Sequence, residues 1–64
     1  MKVRIKSFNG ELPEYLTDGK VYEVTNYDSN LDSGYVVDDL GSKIITILNK
    51  TAHLNGGSWE VIDE

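Results

Sequence analysis

The chain has 64 residues, six Lys or Arg against eleven Asp or Glu, a formal charge of -5 and no cysteine. That length holds one hydrophobic core and no second domain, so residues 1–64 are read as a single unit burying only about 60% of the surface its unfolded form exposes. Without thiols a disulfide scaffold, a zinc ribbon and a cysteine nucleophile are excluded, and the thin basic content makes nucleic acid a poor partner, since duplex binding needs a dense positive field.

Residues 1–6 read as a strand, with Met1, Val3 and Ile5 on one face and Lys2, Arg4 and Lys6 on the other. Residues 7–19 lack a helical period and contain Pro13. They are expected to form a long irregular connection whose Phe8, Leu12, Tyr15 and Leu16 tuck back onto the core, with one helical turn around Pro13. Residues 20–25 are rich in strand formers and place Tyr22 and Val24 inward, with Glu23 in water. The polar stretch 26–34 is expected to turn the chain into a strand over 35–37.

Asp38, Asp39, Leu40 and Gly41 supply turn chemistry and predict a hairpin between that strand and residues 43–48. Ile44, Thr46 and Leu48 alternate with Ile45 and Ile47, so this strand is apolar on both faces and is expected to be central or covered. Residues 49–57 are too short and too glycine-rich for a stable helix, and residues 58–62 close the sheet as a last strand. No long apolar run predicts a signal peptide or a membrane span, so the protein is expected in the cytoplasm. Five short strands with a long first connection predict an all-β fold, a small five-stranded SH3-like barrel, ahead of an oligonucleotide-binding barrel.

Three segments carry a resemblance: residues 19–24, residues 38–41, and above all the block Ala52, His53, Leu54, Asn55, Gly56, Gly57, Ser58, Trp59, Glu60, Val61 and Ile62. Together they resemble a family of small, largely uncharacterised bacteriophage and prophage proteins. The resemblance implies an SH3-like barrel and an infected or lysogenic bacterial cell as the setting, and it carries no biochemical role. Family members often have Cys before the Ala-His-Leu segment, where Thr51 stands here.

Asp28, Asn30 and Asp32 have the alternate spacing of a calcium loop, but Ser33 occupies the position where such a turn requires Gly and strands flank the segment. The stretch is therefore read as a polar turn, and no metal or other cofactor is expected. His53 is the only histidine, so no histidine pair can bind zinc; it is read as a packed or hydrogen-bonded side chain that orients the last turn. Asp38 and Asp39 are read as a solvated turn, and Gly56 with Gly57 as a tight turn delivering Trp59 to the sheet.

No nucleophile, base and orienter can be named together, so the chain is not expected to be an enzyme. The expected function is a non-catalytic protein-binding module. Tyr15, Tyr27 and Trp59 are its candidate aromatic contacts, with a core role equal for Trp59, and Glu11, Glu14, Asp18 and Asp28 are its acidic rim, facing a protein partner with a basic surface. The alternatives are a homodimer that buries the Ile45 and Ile47 face, and a barrel face that binds single-stranded nucleic acid.

Overall fold

The structure is a computed structural model and describes residues 1–62. Two-residue alternation sets β1 (Lys2–Ser7), where Val3 and Ile5 are buried while Arg4 and Lys6 are exposed. The same rule sets β5 (Ser58–Ile62), whose Trp59 faces Ile5 in an antiparallel ladder with β1. Residues 8–21 form the irregular connection expected over 7–19, although Phe8 stays exposed instead of tucking onto the core. Leu16 enters the core, Leu12 and Tyr15 pack against it, and a turn closes from the Leu16 N–H to the Pro13 carbonyl at 3.1 Å.

The hairpin of β3 (Ser33–Val37) and β4 (Lys43–Ile47) forms as expected, in register from Ser33 opposite Ile47 to Val37 opposite Lys43. Its turn works through Asp38, whose carboxylate accepts the Leu40 and Ser42 N–H groups at 3.0 and 2.8 Å. Gly41 supplies the left-handed residue at φ 83°. β2 (Tyr22–Asp28) runs further than expected. Its register with β3 shifts between Thr25 and Asp28, and Asn26 takes φ 53° there, so a bulge absorbs the polar residues and the turn shrinks to 29–32.

Val3, Ile5, Leu16, Tyr22, Val24, Val36, Leu48, Leu54 and Trp59 make the core. Tyr22 and Trp59 meet edge to face, with ring centroids 5.6 Å apart. Gly57 lets the last turn press against the start of the first connection, because a Cβ there would overlap the Ser7 carbonyl oxygen. The expected tight turn forms, with Gly56 at φ 91°, and Gly57 adds this close backbone approach to it.

The expected SH3-like barrel does not form. The strand order is β4-β3-β2-β1-β5, an open antiparallel sheet with β4 and β5 at opposite edges and no ladder between them. After β4 the chain swings through a 3-10 turn, Ala52–Leu54, before β5 begins. β5 touches the start of that excursion, just past β4, through one main-chain bond, Trp59 N–H to the Leu48 carbonyl at 2.8 Å, and an isolated bridge joins Thr51 to Gly57. Closure needs a continuous ladder, and the segment that would carry it is spent on the turn.

Asp39 is also more than a solvated turn residue. Its carboxylate accepts the Lys20 ammonium and the Thr17 hydroxyl at 2.6 Å each, and the Tyr22 hydroxyl at 2.9 Å. These bonds tie the first connection to the β3–β4 turn. The Lys20 hydrogen bond, followed by that of Thr17, holds the Asp39 carboxyl down at about 2. Burial, before any other cause, pushes the Tyr22 hydroxyl up from its ordinary value.

Candidate functional site

β4 has an apolar side chain on each face, and only one face is needed by the core. Thr46 points inward and is buried, while Ile45 and Ile47 are 59% and 49% exposed. Register places Tyr35 beside Ile45 and Ser33 beside Ile47 on that outer face. Main-chain groups follow the same alternation. Bonds from the Asp38 N–H to the Ser42 carbonyl and from the Leu48 N–H to the Asp32 carbonyl show that even-numbered residues turn their backbone toward β3. Lys43, Ile45 and Ile47 therefore turn theirs to the open edge.

That edge is partly closed by side chains. His53 Nε2 lies 2.9 Å from the Ile45 carbonyl oxygen, and its Nδ1 lies 3.0 Å from the Tyr15 hydroxyl. A carbonyl only accepts, so the imidazole proton is assigned to Nε2 and Tyr15 donates to Nδ1. The rings of Tyr15 and His53 meet edge to face at 5.9 Å. His53 is positioned by the 3-10 turn, whose cap Thr51 accepts the His53 N–H at 3.2 Å. Behind this turn runs a buried chain of donors: the Trp59 indole N–H to Thr46 Oγ1 at 3.0 Å, then Thr46 Oγ1 to Thr51 Oγ1 at 2.7 Å.

Between β4 and the 3-10 turn lies an open groove of about 380 Å³. Leu31, Ile45, Ile47 and Ala52 give it apolar walls, His53 borders it, and Lys50 supplies its one charged lining group. Ser33 also lines it. This serine is 7% exposed.

The residues expected from the sequence divide around this groove. Tyr15 reaches its border through His53. Tyr27 is exposed and donates to Asp32 at 2.6 Å, one residue from Leu31. Trp59 is 5% exposed and belongs to the core, contributing to the site only by holding Thr46 from behind. Glu11, Glu14 and Asp18 are exposed on the first connection, and none of them lines the groove. Asp28 accepts the Asn30 N–H at 2.9 Å, the local bond expected of a polar turn. Among the described residues no cluster of three or more His, Cys, Asp or Glu side chains is arranged to hold a metal ion, and no helix is long and apolar enough to cross a membrane.

The sequence singles out Ser33 only as the residue standing where a calcium loop requires Gly, and it does not single out Leu31. The available signal was a lone leucine inside the polar stretch 26–34, which serves no turn. No family model, no curated protein and no solved structure matches the chain. The resemblance to small phage proteins is thereby corrected: no family match supports it, and the open sheet removes the barrel it implied.

Proposed function

We propose that the protein is a non-catalytic protein-binding module whose contact surface is the groove beside β4. One observation carries this reading: Leu31, Ile45 and Ile47 are 66%, 59% and 49% exposed around a single concavity. A 64-residue chain has few large aliphatic side chains to spare, and exposed apolar groups gathered in one place mark interaction surfaces. The polar groups nearby support binding over chemistry, because both His53 ring nitrogens are committed to Tyr15 and Ile45. A cysteine-free sequence is compatible with a reducing cytoplasm as the setting.

The test is affinity capture from a lysate of the source cell by the native protein and by Ile47→Glu. A specific partner held by the native chain and released by the variant, with equal thermal unfolding of the two, is the expected result. Retention that ignores the substitution, or no retained protein at any salt concentration, refutes the reading. Self-association through β4 is the second reading, favoured by the edge position of that strand. It ranks lower because pairing two such faces gathers Lys43 and Lys50 of both copies. Sedimentation that stays monomeric up to high micromolar protein removes it.

A further inference from the structure

Resting on that reading of the groove, we propose that its occupant is an extended peptide segment of another protein, with aliphatic residues two apart and carboxylates flanking them. The groove is the reverse of the surface around it. The chain carries a formal charge of -5, yet no carboxylate lines the groove and Lys50 does. Lys43 stands on the same outer face as Ile45 and Ile47, its ammonium 5.7 Å from the centre of the Tyr35 ring. Arg4, Lys20 and the N-terminal ammonium each have a carboxylate partner. Lys43 and Lys50 have none among the described residues, nor does Lys6 on β1, away from the groove. The carboxylates of the neighbouring turn, Asp28 and Asp32, are directed to Asn30 and Tyr27.

Screening lets this local balance outweigh the net charge. The molecule measures 28 × 22 × 21 Å, and the Debye length at physiological salt is about 8 Å. Acidic groups on the far side are therefore damped at the groove, while a bound carboxylate meets Lys43 or Lys50 at contact distance.

The spacing specifies an extended ligand. Lys43, Ile45 and Ile47 recur every second residue, roughly 7 Å apart along β4. A peptide in β conformation presents its own same-side residues at that repeat, so two aliphatic side chains lie against Ile45 and Ile47 while a flanking Asp or Glu reaches a lysine. Ser33, which lines the groove, offers its hydroxyl to the peptide's main chain. The His53 imidazole already holds the Ile45 carbonyl, so the peptide lies over the outer face of β4 and does not add to the sheet as a sixth strand.

The experiment is selection of a random dodecapeptide library on the immobilised full chain, with Ile47→Glu as counter-selection and titration of individual winners by fluorescence anisotropy. The expected winners combine aliphatic pairs two apart with Asp or Glu. Lys43→Glu and Lys50→Glu each weaken them roughly three- to tenfold at low salt, and raised salt narrows the gap. Both lysines are exposed, so these variants keep the native melting curve. Groove-dependent winners that are neutral or basic overturn the charge inference and leave the groove reading standing. Enrichment unaffected by Ile47→Glu overturns both. Native protein that sediments as a dimer, and as a monomer after Ile47→Glu, assigns the groove to a second copy and overturns the proposal.

Discussion

Thr46→Val changes one buried oxygen into a methyl group and leaves the side chain's shape intact. The native hydroxyl, on a residue 3% exposed, accepts the Trp59 indole N–H and donates to Thr51. Valine strands the indole N–H in the core, and a buried donor without an acceptor costs roughly 1–3 kcal/mol. Thr51, itself 2% exposed, loses its donor as well, for about 1 kcal/mol more. The added methyl burial returns on the order of 0.8 kcal/mol. The balance is a loss of about 2 kcal/mol, from a chain whose whole stability at ordinary values is roughly 3–10 kcal/mol. Urea unfolding should show a lower midpoint with an unchanged slope, and the melting temperature should fall by about 8–16 °C. Trp59→Phe removes the stranded donor, so the double variant should lose about 1 kcal/mol less than the sum of the single variants. A Thr46→Val protein within about 0.5 kcal/mol of the native one would refute the claim that this hydroxyl joins the two sides of the last turn.

Three further outcomes follow from the packing and the charges. Gly57→Ala forces a Cβ onto the Ser7 carbonyl and should cost roughly 1–3 kcal/mol or more; Gly41→Ala has open space and only its φ of 83° to resist it, so about 1 kcal/mol is expected in the same urea titration. Asp39 has its folded carboxyl held below the unfolded value of 3.8, so its stabilisation is complete above that value and is lost as pH falls toward 2. Lys20 and Tyr22 are both raised, so theirs is complete below about pH 10 and is lost at higher pH; Asp39→Asn should flatten the acid limb of a melting-temperature profile between 3.8 and about 2. His53→Ala frees the Ile45 carbonyl at the edge of the sheet and should increase concentration-dependent association in sedimentation, whereas Tyr15→Phe, which leaves the ring on that edge, should not.

Alternation was a good guide where the chain obeys it without interruption. Val3 and Ile5 in β1, Trp59 in β5, and Val36 opposite Ile44 in the hairpin all follow from period two and short turns. Composition predicts that β2 ends at Thr25, because Asn26 and Asp28 are turn formers; a bulge at Asn26 keeps them in a strand, and a bulge depends on the partner strand. Closure of the sheet was not legible at all. It turns on whether β4 and β5 form a ladder, a contact between segments separated by the 3-10 turn and decided by tertiary packing. Half of the candidate site was visible, because Ile45 and Ile47 made β4 apolar on both faces. The aromatic residues were harder, since Trp59 and Tyr27 have the same claim on a core or a surface until the fold assigns them.

The open edge and the groove have one cause. A strand apolar on both faces is stable in the middle of a layered structure, but here it is placed at the margin of a five-stranded sheet. The chain covers the inner face with its core, and it answers the edge with His53 at the Ile45 carbonyl. Those two devices leave Ile45 and Ile47 exposed on the outer face, where the 3-10 turn raises a wall beside them instead of a lid. Two exposed isoleucines on an edge strand whose hydrogen-bonding hazard is otherwise guarded are the side chains that the proposed contact surface would use.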